Sequence, residues 1–344
     1  MSIAVSAPGD SVLSMERKMT QLADGVYTIR HVDPFDTFVD GNTTVIIGDR
    51  DVFVVDSCSL PSSAREDIDQ IRKWTDKPVR YLLNTHWHTD HNAGNQAYRD
   101  AFPSVEIIAT KETNQIMRDR HPHLLNQHDA SKLRLKWARR QETGKDEDGK
   151  PLTKTQKAEA AAKIAKVDRM LAEYEKFVFL GPTLTYDREL DIDLGNREVQ
   201  VKFLGRGNTG GDSIALLAKE NILITGDLVV HPVPYTFDGY PAEWSHTLEK
   251  MAHLDVNIIV PGHGEVLHDK TYIYFLIDLF ETVVRDVNEQ LSKDAYAKLE
   301  DVQKAIDLTP FLKKVDSQEK FAAGFFKYAT AKLIELAYYE AKQE

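Results

Sequence analysis

The apolar positions of this chain change period along its length. From Val26 to Val55 they fall in short runs (Val26 to Arg30, Thr43 to Ile47, Val52 to Val55) of strand length and composition. Gly41-Asn42 and Gly48-Asp49 lie between them and supply turn chemistry. Residues 62–76 switch to helical spacing, with Ser62 or Ser63 as the cap and Ile68, Ile71 and Trp74 on one face. Val79 to Leu83 and Val105 to Ala109 are again strands. From about 111 to 178 the chain turns polar and helical, with Ile164, Val167, Leu171 and Tyr174 in register and Gly144 to Pro151 as a tip. This reads as a helical hairpin inserted into a β-rich unit. Strands then resume at Leu184 to Ile192, Glu198 to Leu204, Ser213 to Leu217, Ile222 to Thr225 and Asn257 to Val260, with a helix over 241–254. Beyond Thr271 the spacing is helical, broken near Pro310. Two β-rich halves, each ending in helices, predict an α/β chain of two sheets packed face to face with helices outside.

Three segments follow: a flexible lead-in over 1–20, a main domain over 21–268 holding the insertion, and a helical extension over 269–344 packed on it. The 344 residues are 42% hydrophobic, enough for a sizeable core. A net charge of -11 argues against nucleic-acid binding, which needs Lys and Arg to neutralise phosphates. Cys58 is the one cysteine, so an internal disulfide and a cysteine-built zinc site are excluded, and its strand-end context makes it a buried, inert thiol. The first twenty residues hold no apolar stretch of signal or membrane length. The expectation is therefore a cytoplasmic protein with a small-molecule substrate and no membrane partner. The insertion and the C-terminal helices are the two candidate contacts for a homodimer.

The chemistry concentrates in Thr85-His86-Trp87-His88-Thr89-Asp90-His91, directly after a strand. His86 and His88, two apart on extended chain, point the same way. Asp90 and His91 follow where the chain turns. Three imidazoles and a carboxylate in six residues suit a divalent cation better than packing. Three further strand-end loops carry polar residues among glycines: Gly205 to Asp212, Thr225-Gly226-Asp227 and Pro261-Gly262-His263-Gly264.

On these residues the chain resembles the metallo-β-lactamase superfamily over about residues 21 to 268. The resemblance implies an αββα sandwich of two mixed β-sheets flanked by helices, with one or two metals at a sheet edge. It implies His86 and His88 on one metal, Asp90, His91 and His263 on the other, and Asp227 bridging. The chain departs from the family where Asn208 stands in place of a third histidine. An amide oxygen is a poorer zinc ligand than an imidazole, so the first metal position is expected to be weakened, relocated or empty. Asp227, where β-lactamases proper tend to carry cysteine or serine, is similar to glyoxalase II and lactonases.

The expected activity is hydrolysis of an ester, lactone, thioester or β-lactam-like bond by a metal-bound hydroxide. Asp90 orients the nucleophile and passes its proton on, and Asn208 helps hold the oxyanion. Zn2+ is the expected cofactor, one or two per chain, with Fe or Mn compatible with an all-nitrogen and oxygen ligand set. His231, Tyr235 and Arg206 are the candidate substrate-binding residues. Two other readings fit the same residues: a mononuclear iron dioxygenase of the persulfide-oxidising type, and a binding protein weakened by loss of one ligand.

Overall fold

The structure is a computed structural model that describes residues 16–31, 40–124, 127–146, 148–315 and 322–342. Its first sheet is built from β1 (Arg17–Ala23), β2 (Val26–His31), β3 (Thr43–Ile47) and β4 (Val52–Val55). Helix α1 (Pro61–Trp74) leads to β5 (Val79–Leu83), followed by α2 (Thr89–Asn92), α3 (Asn95–Ala101) and β6 (Glu106–Thr110). The insertion comprises α4 (Lys111–Leu124), α5 (Gln127–Thr143) and α6 (Lys154–Tyr174), and β7 (Leu184–Tyr186) closes the sheet in the order β1-β2-β3-β4-β5-β6-β7. The second sheet uses β8 (Glu189–Asp193), β9 (Glu198–Lys202), β10 (Ile214–Leu217), β11 (Ile222–Ile224) and β12 (Ile258–Val260), in the order β12-β11-β10-β9-β8. Helix α7 (Pro241–Ala252) precedes β12, and α8 (Thr271–Lys293), α9 (Leu299–Ala305), α10 (Thr309–Leu312) and α11 (Ala322–Lys342) follow it.

Both sheets are mixed. β1 to β4 pair antiparallel and β4 to β7 parallel, while β11 and β12 form the parallel pair of the second sheet. The two-residue period of the strands sorts their side chains into layers. Phe53 and Val55 point inward with Val26, Ile46 and Leu83, against Val199, Val201, Ala215, Leu217 and Ile222 of the facing sheet. Val52 and Val54 point outward onto Ala64, Ile68 and Ile71 of α1 and Tyr98 of α3. On the other side Leu216, Leu223 and Ile259 meet Trp244 of α7, Leu276 and Phe280 of α8, and Phe326 and Leu333 of α11. The layers run α, β, β, α, with α8 and α11 in the same apolar cluster as α7.

Four expectations need correction. Arg17 to Thr20 are not a flexible lead-in; they belong to β1, held by Arg17, whose Nε donates to Asp67 Oδ1 at 2.8 Å. The remainder of that segment, 1–15, lies outside the described residues. The insertion holds three helices, because α4 continues directly from β6 and only α5 and α6 form the hairpin. The run Leu184 to Ile192 is two strands in different sheets, since the chain crosses from one layer to the other between Tyr186 and Glu189. Neither Ser62 nor Ser63 caps α1, which starts on Pro61 with Leu60 as N-cap. Their hydroxyls instead donate to Glu173 of α6 at 2.7 Å and to Asp40 at 2.6 Å. Among the described residues, no helix is long and apolar enough to cross a membrane.

Candidate metal centre

The carboxyl ends of β5, β11 and β12 meet at one edge of the sandwich. Thr85, just past β5, donates its N–H to Asp56 Oδ1 (2.8 Å) and its carbonyl accepts from Ser213 N (2.8 Å), tying the two sheets together. The chain then runs through His86 and His88 into the one-turn helix α2, which carries Asp90 and His91. Asp227 lies in the turn after β11 and His263 in the turn after β12. Gly262 donates its N–H to Gly226 O at 2.9 Å, locking these two turns together. Glycine is required there, because a Cβ on Gly262 would overlap Asp227 Oδ1. Gly41 has the same role behind the His91 ring.

Four ligand atoms converge at this edge. His91 Nε2 lies 3.2 Å from His263 Nε2, 3.4 Å from Asp90 Oδ2 and 3.2 Å from Asp227 Oδ1. His263 Nε2 lies 3.1 Å from Asp90 Oδ2 and 3.5 Å from Asp227 Oδ1. Tetrahedral zinc with bonds of about 2.0–2.1 Å places its ligand atoms about 3.3 Å apart. These five spacings suit ligand atoms around one zinc-sized cation. Beside it, His86 Nε2 lies 2.9 Å from His88 Nδ1 and 3.7 Å from Asp227 Oδ2. Asp227 turns Oδ1 toward His91 and His263 and Oδ2 toward His86.

Electrostatics supports the same donor set. Asp56, Asp90 and Asp227 surround the buried His91 ring. Burial opposes charging of His91, yet Asp227, Asp90 and Asp56 outweigh it and hold the imidazole well above its usual pKa. Burial likewise opposes, and His91 then overcomes, ionisation of Asp90 and Asp227, so both carboxyls sit below the carboxylate range. Burial and the neighbouring His91 and His88 push His86 down, keeping it neutral and ready as a ligand. Asp227 Oδ1 and Asn208 Oδ1 are buried with no hydrogen-bond partner among the described residues. Ionised carboxylates hold protons on His91 and His263, which a cation bound there would displace.

Ring orientation is set from behind. His91 Nδ1–H donates to Asp56 Oδ2 at 2.7 Å. Thr85 Oγ1 donates to Asp56 Oδ2 at 2.9 Å and lies 3.0 Å from His86 Nδ1, whose N–H it accepts. Asp56 thus fixes the tautomers of two imidazoles and leaves both Nε2 atoms free to ligate. It does so from a left-handed backbone, φ 61°, one residue past β4.

Asn208 is fully buried, with Nδ2 3.4 Å from His88 Nδ1. Tyr235 places its ring 4.8 Å from that of His263. His231 joins the ligand turn through its backbone, its N–H donating to His263 O at 3.1 Å. The His231 ring packs on Tyr272 at 4.8 Å and lines a separate cavity of about 660 Å³ with Asp269 and Asp278. Arg206 Nε donates to Glu243 Oε2 at 2.9 Å and its guanidinium stacks 4.0 Å from Tyr240, and the three line a cavity of about 540 Å³ with Gly210 and Gly211. The side chains of His121, His123 and His128 lie outside the described residues.

Sequence reasoning missed Asp56, Asp238 and the segment Asp40 to Asn42. Asp238 Oδ2 lies 3.4 Å from His88 Nε2. Asn42 Nδ2 donates to Pro261 O (2.9 Å) and Gly264 O (3.0 Å), clamping the His263 turn. The one signal for Asp56 was a carboxylate ending an apolar strand. A third group, His31, Cys58 and Asp67, also has ligand-like spacing. There the Arg17 guanidinium already supplies the positive charge.

Comparison with known proteins agrees with this geometry. The model of the metallo-beta-lactamase superfamily matches residues 36–263. A linear primary-alkylsulfatase from Pseudomonas sp. (strain ATCC 19151) is 23% identical over 247 residues, 70% of this chain and 44% of that protein. A metallo-beta-lactamase type 2 from Bacillus sp. (strain 170) is 31% identical over 97 residues, 26% of this chain and 37% of that protein. The matched stretches thus span less than half the length of these curated relatives. Among solved structures, a stereoselective inverting sec-alkylsulfatase from Pseudomonas sp. superposes with a TM-score of 0.67 at 13% identity, over 94% of this chain and 50% of the other. A metallo-beta-lactamase from Pontibacter korlensis does so with a TM-score of 0.55 at 15% identity, over 77% and 99%. With the sandwich, the ordered ligands and a family match over most of its length, this chain belongs to the metallo-β-lactamase superfamily, a family of metallo-hydrolases.

Proposed function

We infer that this protein is a metal-dependent hydrolase of an ester-type bond. One observation carries the reading: the ligand-like spacing of Asp90, His91, Asp227 and His263 at the edge of the sandwich. These residues would hold a divalent cation, which when bound would supply Lewis acidity and acidify a water. Zinc is the preferred ion on spacing and donor type, and His86, His88 and Asp227 are the candidate holders of a second.

The chain's own residues divide the remaining work. Asp90 is the one ligand carboxylate with solvent access, its side chain 21% exposed against 2% for Asp227. Held ionised by His91, it is the group to orient the attacking water and carry its proton to the leaving group. Asn208 presents an amide beside His88, positioned to hydrogen-bond an oxygen that gains charge. Tyr235 lines the approach next to His263. Carboxylic ester, lactone, thioester and β-lactam-like amide all suit this machinery. A sulfuric ester joins them because the relative matched over 70% of this chain is described as an alkylsulfatase.

The test is a turnover panel of these five bond types with chelated protein and protein reloaded with zinc, manganese or iron. Activity on at least one bond type should return with metal and fall by about 10²-fold or more in Asp90→Ala. Silence across the panel in fully loaded protein would remove the hydrolase reading. Stoichiometric iron with oxygen consumption on a persulfide would replace it with an oxidation.

A further inference from the structure

The rings around His263 do not end at Tyr235. Phe325 of α11 meets Tyr235 at 5.3 Å between centroids, and Phe237 meets Tyr235 at 5.8 Å. Tyr328, one turn further along α11, packs 6.0 Å from Phe237 and 6.4 Å from Phe325. Four aromatic residues from two distant segments thus form a continuous wall that begins against a metal-ligand histidine and runs outward. The wall is fixed: between Tyr235 and Phe237, Thr236 Oγ1 donates to the carbonyl of Ala329 on α11 at 2.6 Å. Its outer members stay open, Phe237 44% and Tyr328 53% exposed.

Core packing accounts for the inner rings and leaves the outer pair unexplained. Large apolar surface kept in contact with water, rimmed by polar residues and continuous with a reaction centre, marks a binding surface. Asp238 follows Phe237 directly and faces His88, so the same loop delivers an apolar face to the wall and a carboxylate to the centre. A polar head at the metal-ligand cluster would leave the rest of its molecule lying along these rings.

We propose that the wall of Tyr235, Phe237, Phe325 and Tyr328 is the subsite that seats an alkyl chain of the substrate. This rests on the hydrolase reading for the identity of the cleaved bond, while the wall itself is testable without turnover. The occupant is a flexible apolar chain rather than a second protein, because the rings lead into the metal-ligand cluster instead of lying flat on an outer face.

The experiment titrates the metal-loaded protein with butane-, hexane-, octane- and decanesulfonate, which carry an anionic head and have no ester to cleave. Affinity should rise about three- to four-fold for each methylene that the wall buries. Phe237→Ser and Tyr328→Ser, both at exposed positions, should flatten that rise. Tyr296→Ser, at an exposed ring outside the wall, should keep it. Affinity independent of chain length, absence of binding, or an unchanged slope in both wall variants would overturn the proposal. So would light scattering that finds a dimer broken by Phe237→Ser together with no chain-length dependence. A surviving slope in a protein that hydrolyses nothing would leave the wall standing and remove only the reading of the bond.

Discussion

Asp56 holds the far side of two imidazoles at once, His91 directly and His86 through Thr85. Asparagine there keeps the shape, yet it weakens both hydrogen bonds and the basicity they lend the ligands. Asp56→Asn should lower metal affinity by about 10- to 100-fold. Competition against a chromophoric chelator reads this directly, and unchanged affinity would contradict the tautomer argument. Asn208 shows what sequence spacing reveals and what it hides. Its substitution for a histidine is visible in the sequence; its fully buried place beside His88, and the turn of Asp227 toward His86, depend on how two sheets meet. Asp238 and Asn42 were invisible for the same reason: each acts across a sequence separation that no local pattern encodes. Arg206 pairs with Glu243 and stacks on Tyr240, contacts that a lone arginine beside glycines does not reveal.

At the scale of elements, β1, β2 and α1 are joined by one buried network. Asp67 of α1 accepts from Arg17 at 2.8 Å and faces His31 at 3.1 Å, with Cys58 Sγ donating to it at 3.2 Å. Burial disfavours the Asp67 charge, but His31 and Arg17 outweigh it and hold the carboxyl below its usual 3.8. Its contribution is therefore present above about pH 4 and is lost as pH falls toward the folded value. Burial also opposes the His31 charge, and Asp67 overcomes it, raising that imidazole above 6.5. Its share is complete below about pH 6.5 and fades as pH rises through the folded value. Asp67→Asn should cost about 3 kcal/mol of unfolding free energy near pH 6 and flatten the acid limb. Denaturant titrations at several pH values check this; an acid limb as steep as the parent's would contradict it. The strands themselves were legible because alternation survives in the sequence. The break between β7 and β8 was not, since both halves of Leu184 to Ile192 alternate alike. The start of β1 was hidden too, because an arginine that ends up 8% exposed looks like any surface charge. Gly262→Ala should displace Asp227 and abolish metal uptake while far-ultraviolet dichroism stays native, as the overlap lies in the turn and outside the strands.

For the whole molecule, metal and fold are coupled. Ligands from both sheets converge on one edge, so a bound cation links the layers and should stabilise them by about 2.7 kcal/mol at a free concentration 100-fold above its Kd. Calorimetric scans with and without chelator measure it, and identical midpoints would contradict a site spanning both sheets. The sandwich was legible because two β-rich halves with flanking helices admit few arrangements; the aromatic wall was not, because α11 reaches the edge only after the C-terminal helices fold back. The central claim is that Asp90, His91, Asp227 and His263 hold a catalytic cation. The most direct measurement is metal per chain by elemental analysis, paired with ester turnover, in the parent, His263→Ala and Asn208→His. We predict at least one tightly held divalent ion in the parent, loss of ion and turnover together in His263→Ala, and firmer occupancy of the His86 and His88 position in Asn208→His. A parent that turns over ester at full rate after its metal is stripped, or a His263→Ala protein that keeps both ion and rate, would contradict the account.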